Sequence, residues 1–173
     1  MKATIQLVTT SMLMLASSAY AQTAPTDAQI AMIVVTANQV DIDAGKLAET
    51  MGSTQEVRDF GRRMVLDHSG VNQQATALVK KLNVTPESGA TSASLKKDGD
   101  ANLAKLKKLE GVAFDRAYLD NEVKYHQAVL DMLNETLIPN AKNAELKTLL
   151  VSVRPAFESH LEHAKQLQTK IGN

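Results

Sequence analysis

Side chains that can bind metal ions interrupt the apolar faces of four predicted helices. Each follows an apolar residue by three or four positions and precedes another at the same spacing, which places it on the buried side of its helix. Burying a carboxylate or an imidazole is costly unless the group finds a partner. One such group in each helix predicts that the groups meet one another. In chain order they are Asp41, His68, His126 and His160.

Imidazole and carboxylate groups from facing helices form a ligand set suited to Zn, Cu, Fe or Mn. Glu122 lies one helical turn before His126 and is the nearest additional carboxylate. The candidate metal site therefore comprises Asp41, His68, Glu122, His126 and His160. Further side chains either face solvent or lie at the edge of the site and support it, namely Asp67, Tyr118, Glu158 and His163. The alternative is a hydrogen-bonded core network that contains no metal.

Long amphipathic helices must position these groups. Apolar residues recur at spacings of three and four along four segments, and Gly52 separates the first segment from the second. Ser53 followed by Glu56 has the pattern of a capping box and predicts the start of the second helix. Each helix is about 40 Å long at 1.5 Å per residue and cannot bury its apolar face alone. A four-helix bundle is the simplest arrangement that buries all four faces.

The connection between the second and third long helices is itself long. Residues 83–99 contain Pro86, Gly89 and a Ser/Thr/Ala run, which predicts a loop. The lysine-rich segment 95–110 predicts a short extra helix on the surface. A crossover of this length can run back along the bundle and set the second and third long helices parallel, as in ferritin-like folds. That arrangement brings the polar groups within about two helical turns of one another.

The first 21 residues have the layout of a secretory signal peptide. Lys2 gives a positive start, residues 5–16 are mostly apolar, and Ala19-Tyr20-Ala21 forms a small-x-small cleavage site. We expect a flexible leader over residues 22–26, the helical bundle over residues 27–173, and export across the inner membrane to the periplasm. No later segment is long and apolar enough to predict a membrane span.

The amino-acid composition argues against several classes of function. The chain has no cysteine, so thiolate ligands and thiol nucleophiles are absent. Lys and Arg number 19, as do Asp and Glu, so the formal net charge of zero argues against nucleic-acid binding. There is no tryptophan, and the few aromatic residues are not interleaved with arginines as in base-stacking surfaces. Nothing in the composition specifies a protein partner or a homo-oligomer.

Several short sequence motifs of this chain occur together, in a fixed order, in a known protein family. They are Met64-Val65-Leu66-Asp67-His68 followed by Asn72, Phe114-Asp115-Arg116-Ala117-Tyr118-Leu119, His126, and Pro155 with His160-Leu161. These blocks resemble the secreted bacterial family called domain of unknown function 4142, over nearly all of the mature chain. The resemblance implies a ferritin-like fold and export. Family members similar to this chain often carry Glu at the position of Asp41.

The chain departs from the di-iron pattern of ferritin-like proteins, which places Glu-x-x-His on two helices. Val65 lies three residues before His68, and Phe157 lies three residues before His160. A di-metal oxidase is therefore the weakest of three functional hypotheses. The other two are a metal-binding bundle of the cell envelope and a structural or partner-binding module of the envelope without metal, related to stress.

Overall fold

The computed structural model describes residues 24–172, and the secondary structure within that range is entirely helical, which confirms the predicted all-α bundle. Within the same range, no helix combines the length and the apolar character that a membrane crossing requires. The predicted signal peptide lies outside the described residues. The helices are α1 (Asp27–Met51), α2 (Gln55–Lys81), α3 (Ala90–Leu106), α4 (Gly111–Met132), α5 (Ile138–Asn140) and α6 (Ala144–Gly172), with a π-helical turn (Leu133–Leu137) between α4 and α5.

The first long helix, α1, begins with a capping box. The Thr26 hydroxyl accepts a hydrogen bond from the Gln29 N–H at 3.2 Å, and the Gln29 side chain accepts one from the Thr26 N–H at 3.0 Å. These bonds satisfy backbone donors that have no partner within the helix. The Asp27 carboxylate accepts from the N–H groups of Lys142 and Asn143 at 2.8 and 2.9 Å. It thereby ties the start of α1 to the loop before α6.

The turn between α1 and α2 differs from the prediction. Thr54, not Ser53, caps α2, and its hydroxyl accepts from the Val57 N–H at 3.3 Å. The Ser53 N–H and hydroxyl both donate to the Asp115 carboxylate, at 2.8 and 2.5 Å. The predicted capping box of Ser53 and Glu56 is therefore wrong. The physical reason is that Asp115 is fully buried and requires donors, which this turn supplies.

The crossover contains more helix than the sequence predicted. α3 begins at Ala90, inside the segment predicted as a loop, and ends at Leu106. The Ser92 side chain starts it by accepting from the Gly89 N–H at 3.0 Å and donating to the Gly89 carbonyl at 3.1 Å. α3 packs so closely on α1 that a Cβ on Gly99 would lie 2.7 Å from the Val40 side chain. The lysine-rich segment thus has an apolar side that holds it against the bundle.

The long helices on either side of the crossover run parallel. α1 and α2 form an antiparallel hairpin across their short turn. α1 is also antiparallel to α4, since the Tyr125 hydroxyl donates to the Ala37 carbonyl at 3.0 Å while Ser53, just after α1, binds Asp115 near the start of α4. α2 and α4 therefore point the same way. This connectivity is compatible with a ferritin-like fold.

Two apolar clusters fill the bundle, one toward each end. The first contains residues from all four long helices, including Ile30, Val71, Leu130 and Leu150. The second is built around Phe60, Phe114 and Leu119 together with Ala48 and Leu167. Each large apolar side chain contributes roughly 1.5–3 kcal/mol when fully buried. The five candidate metal ligands lie between these two clusters and are almost completely buried.

Two glycines of α2 should respond in opposite ways to the same substitution. A Cβ on Gly61 would lie 2.7 Å from the Gly45 carbonyl oxygen, whereas a Cβ on Gly70 would meet nothing within 4 Å. We expect Gly61→Ala to lower the free energy of unfolding by about 1–3 kcal/mol because α1 and α2 must separate. Gly70→Ala should raise it by about 0.4–1 kcal/mol because the unfolded chain loses conformational freedom. Urea denaturation of both variants tests the pair, and equal changes would contradict this packing.

Candidate metal centre

Each of the four long helices sends one potential ligand to the same level of the bundle. α1 contributes Asp41, α2 His68, α4 His126 and α6 His160, and every one of these side chains is buried. Glu122, one turn before His126 on α4, is fully buried beside them. The five residues that the sequence pattern nominated therefore converge. Their helical spacing places them on inward faces, and the antiparallel packing brings those faces to the same height.

The imidazoles of His68, His126 and His160 form a nearly equilateral triangle. Their ring centroids are 5.6, 5.2 and 5.4 Å apart. One nitrogen from each ring lies within 4.8 Å of the other two. A metal ion with Zn–N bonds of about 2.0–2.1 Å would require nitrogen separations of roughly 3.3–3.5 Å. Modest side-chain movement would therefore close the triangle around one ion.

Asp41 lies beside two of these rings. Its Oδ2 atom is 3.4 Å from His68 Nε2 and 3.9 Å from His126 Nε2. Asp41, Glu122 and His126 also form a second group whose potential ligand atoms lie within 4.8 Å of one another. Three nitrogens and one carboxylate oxygen, each from a different helix, match the number and type of ligands common in zinc sites.

A fixed hydrogen bond sets the tautomer of His68. Its Nδ1 lies 2.8 Å from the Asn38 side-chain oxygen. The amide of Asn38 is itself oriented, because its Nδ2 donates to the Val34 carbonyl at 2.9 Å. The Asn38 oxygen must then be an acceptor, so His68 Nδ1 carries the proton. The lone pair of His68 is left on Nε2, the nitrogen that faces Asp41.

The other two imidazoles are fixed in the same way. His126 Nδ1 donates to the backbone carbonyl of Glu122 at 3.0 Å, which leaves its lone pair on Nε2. His160 Nε2 donates to the Asp67 carboxylate at 2.8 Å, which leaves its lone pair on Nδ1. Acceptors that bind the outer nitrogen of a metal-ligating histidine orient the ring and raise its basicity. Each ring therefore has an anchored outer nitrogen and a lone pair on the other nitrogen.

The inner polar atoms have no hydrogen-bond partner within the described part of the chain. They are Asp41 Oδ2, His68 Nε2, His126 Nε2, His160 Nδ1 and both side-chain oxygens of Glu122, and the buried Tyr118 hydroxyl is in the same condition. Buried polar groups in native proteins are nearly always satisfied. Such a concentration at one level of a helical bundle is the pattern expected of a site that binds an ion.

Burial keeps the three imidazoles neutral. Loss of hydration lowers the pKa of His126 to about 3, and the neighbouring His160 adds to the effect. Loss of hydration likewise lowers the pKa of His68 well below its usual range, with contributions from the other two rings. For His160, burial lowers the pKa while the hydrogen bond to Asp67 opposes the change. Neutral rings present the lone pairs that a metal ion requires.

Burial raises the pKa values of the two adjacent carboxyl groups, Asp41 and Glu122. For Asp41 the pKa rises to about 8, and the neighbouring Glu122 side chain partly offsets the effect of burial. The pKa of Glu122 rises well above its usual range, because of burial first and then the nearby charge of Asp41. Two adjacent buried carboxyl groups cannot both ionise easily. Glu122 therefore keeps its proton when Asp41 loses its own.

The residues predicted for the edge of the site have different positions. Asp67 binds His160 directly, and the Tyr118 ring packs against Phe60 with its hydroxyl buried. His163 is partly buried at the boundary. Glu158 is exposed and pairs with an arginine of its own helix at 3.4 Å, so its placement at the site is wrong. Its position two residues before His160 turns it to the opposite side of α6.

Sequence reasoning missed Asn38, although the signal was present. Asn38 is buried, follows Val34 by four residues and precedes Asp41 by three, which is the same spacing that identified the histidines. An amide was passed over because it is a poor metal ligand. Its role is to orient His68, and that role depends on a contact between helices.

The fold and the buried cluster define an all-α bundle with a candidate metal centre of histidines and carboxylates. The chain belongs to the family described as Domain of unknown function (DUF4142), whose sequence model matches residues 13–167. Its fold is similar to that of CopM in the Cu(II)-bound form, with a TM-score of 0.65 and 15% sequence identity over 86% of this chain and 99% of that chain. No curated protein sequence matches the chain.

The raised pKa of Asp41 predicts how the metal-free protein responds to alkali. Because the folded state holds a proton that the unfolded chain releases, stability should fall as pH rises toward about 8. Above about pH 7.5 the histidines are mostly neutral in both the folded and the unfolded state, so their opposing contribution is small. Urea denaturation between about pH 7.5 and about pH 9 should show the decrease, at most about 1.4 kcal/mol per pH unit for one proton.

Asp41→Asn should flatten that dependence, because the amide carries no titratable proton. Asp43→Asn removes a partly exposed carboxylate from the same helix and should leave the slope unchanged. A wild-type protein that gains stability over this pH range would contradict the assignment of a protonated carboxyl pair in the core.

Proposed function

We propose that the protein binds one divalent transition-metal ion at the level of Asp41, through the inner nitrogens of His68, His126 and His160. The observation that carries the proposal is the matched orientation of the three rings. Each ring uses its outer nitrogen as a donor to a fixed acceptor and leaves the other nitrogen unpaired. The Asp41 carboxylate supplies the fourth ligand and a negative charge that partly balances the ion.

Glu122 supports this centre as the partner of Asp41. Its carboxyl group lies beside Asp41 within the same group of potential ligands, and its backbone carbonyl accepts the proton of His126 Nδ1. A centre with two ions would need more carboxylate ligands than Asp41 and Glu122 provide. The Glu-x-x-His pairs that supply those ligands in di-iron bundles are replaced by Val65 and Phe157 at the corresponding positions. A single ion therefore fits the residues better than a di-metal oxidase.

The donor set favours borderline metals. Imidazole and carboxylate without thiolate suit Cu(II) and Zn(II), and Cu(II) stands highest among the divalent first-row ions for a given set of ligands. CopM has a Cu(II)-bound form and a similar fold, which supports testing copper first. Fe and Mn remain in the ligand class but usually take more oxygen ligands than this centre offers.

A metal-free core network accounts less well for the same residues. In a structural network the polar atoms would pair with one another, because a half-satisfied buried network is costly. Here each ring donates its proton to an acceptor outside the cluster, and Asp41 Oδ2, His68 Nε2, His126 Nε2 and His160 Nδ1 have no hydrogen-bond partner among the described residues. A bound metal ion would accept these lone pairs. In a metal-free network the same lone pairs would face one another without a hydrogen bond between them.

The location of the protein is part of the same proposal. The layout of residues 1–21 supports export to the periplasm with cleavage after Ala21. The absence of cysteine from the chain is consistent with a metal centre built from nitrogen and oxygen ligands, which are not lost to thiol oxidation. The protein would then bind its metal outside the inner membrane.

Metal binding should be stoichiometric and should stabilise the fold. The mature protein should bind one Cu(II) or Zn(II) per chain, measured by equilibrium dialysis with elemental analysis. At a free metal concentration about 100-fold above Kd, linkage adds about 2.7 kcal/mol, or roughly 5–10 °C in Tm for a domain of this size. His68→Gln should abolish the stoichiometric binding. His163→Gln, a matched change at the boundary, should retain it.

Two results would refute the metal centre. One is a purified protein that takes up no metal and shows no change in Tm with any of Cu(II), Zn(II), Fe(II) or Mn(II). The other is a His68→Gln variant that is folded by circular dichroism and binds as tightly as the wild type. Either result would favour the structural or partner-binding alternative.

The amide of Asn38 should contribute to affinity without touching the ion. Asn38→Ala removes the acceptor that holds His68 Nδ1, so the ring can turn or change tautomer. We expect metal affinity to fall by about 10–100-fold, the usual effect of losing such a partner. Gln39→Ala, an exposed change next to it in sequence, serves as the control. Competition titration with a chelator of known affinity measures both, and equal affinities would refute the role of Asn38.

A further inference from the structure

The ligand His160 lies closest to solvent among the three histidines. His68 and His126 are anchored to Asn38 and to the Glu122 carbonyl, both of which are buried. His160 is anchored to Asp67, whose side chain is 35% exposed. Asp67 belongs to α2 and His160 to α6, so their bond spans the seam between these helices. This seam is the place where the candidate centre comes within one side chain of water.

Among the described residues, only one of the two carboxylate oxygens of Asp67 accepts hydrogen bonds. Its Oδ2 accepts from His160 Nε2 at 2.8 Å and from Arg63 Nε at 3.3 Å. Arg63 lies one turn earlier on α2 and also donates to the Ser159 hydroxyl of α6 at 3.3 Å, which closes the seam there. Among the described residues no donor binds Asp67 Oδ1. One oxygen of this carboxylate thus remains available to a cation.

The surface of α2 is open at Gly70, three residues after Asp67. Glycine inside a helix costs about 0.5–1 kcal/mol relative to alanine, so its presence calls for a reason. At Gly61, on the same helix, close packing explains the glycine, since a Cβ there would lie 2.7 Å from a backbone oxygen. At Gly70, packing does not require glycine, because a Cβ there would meet nothing within 4 Å. The missing side chain leaves space one turn beyond Asp67.

A groove lies farther along the same pair of helices, α2 and α6. It has a volume of about 530 Å³ and begins at Gln74, one turn beyond Gly70. Small or short side chains such as Ala77 on α2 and Ser152 on α6 form part of its wall. The groove, the space at Gly70, the half-exposed carboxylate and the buried His160 therefore follow one another along α2 and α6.

We propose that the seam between α2 and α6 is the port through which the metal cation reaches and leaves the centre, with Asp67 as the first carboxylate that it meets and Gly70 as the residue that keeps the port open. The inference rests on the proposed metal binding. The unpaired Nδ1 of His160, which is almost completely buried, is the next ligand inward. The cation competes with Arg63 for Asp67, then passes to the imidazoles. Asp67 is a positioning residue for His160 and a transient ligand for the ion.

The test is to obstruct the port without changing any ligand. Gly70→Leu places a bulky side chain in the open space, and Cu(II) uptake and release are followed by stopped-flow absorption on the full mature chain. Both rate constants should fall by about tenfold or more, equivalent to a barrier increase of about 1.4 kcal/mol. Kd should stay unchanged, because a barrier slows both directions equally. Ala128→Leu, on the exposed side of α4, is the matched control and should exchange as the wild type does.

A second variant covers the case in which Gly70→Leu fails to fold. The chain has no cysteine, so Gly70→Cys introduces a single thiol that can be alkylated with a bulky maleimide after folding. Ala128→Cys, treated identically, is its control. Alkylation at residue 70 should slow Cu(II) exchange, whereas alkylation at residue 128 should not.

The outcomes separate the two proposals. Wild-type protein that binds Cu(II), together with blocked variants that exchange at the wild-type rate, would overturn the port and leave the metal centre standing. A blocked variant with weakened affinity and an unchanged association rate would also overturn the port. Wild-type protein that binds no Cu(II) would overturn both proposals.

Discussion

The burial of five polar side chains, Asp41, His68, Glu122, His126 and His160, at one level of the bundle is the constraint on which the rest of the structure depends. Apolar clusters on either side of this level separate the buried groups from bulk water. The helices must therefore hold a register in which each group faces a suitable neighbour, since an unpaired buried charge would cost more than most single packing contacts contribute. The close α1–α2 contact at Gly45 and Gly61 helps to hold that register.

The hydrogen bonds around the outside of the cluster determine its chemistry. Three different acceptors, an amide oxygen, a backbone carbonyl and a carboxylate, each take the proton of one imidazole. The direction of the remaining lone pairs follows from those acceptors rather than from the rings themselves. Rings held in this way need little reorganisation to coordinate an ion, which is the property that distinguishes a binding centre from a collection of buried histidines.

Helical spacing was sufficient to predict the bundle and to nominate five residues that the structure brings together. The three- and four-residue spacing of apolar positions marked His68, His126 and His160 as inward facing, and the length of the crossover indicated the parallel arrangement of α2 and α4. Other features depend on partners distant in sequence and left no local signal. Ser53 binds Asp115 across 62 residues, and Asp67 binds His160 across 93. The supporting role of Asn38 likewise depends on its contact with His68 on another helix.

The contribution of one ligand by each long helix makes the centre a property of the complete tertiary structure. The α1–α2 hairpin carries Asp41 and His68, and the α4–α6 hairpin carries His126 and His160. Neither half of the chain contains all four candidate ligands. Proteolytic cleavage within α3, followed by separation of the halves, would disperse the ligands two and two. Metal that stays bound after such cleavage would therefore indicate that the two hairpins are still associated. A single hairpin could not bind the ion through all four candidate ligands.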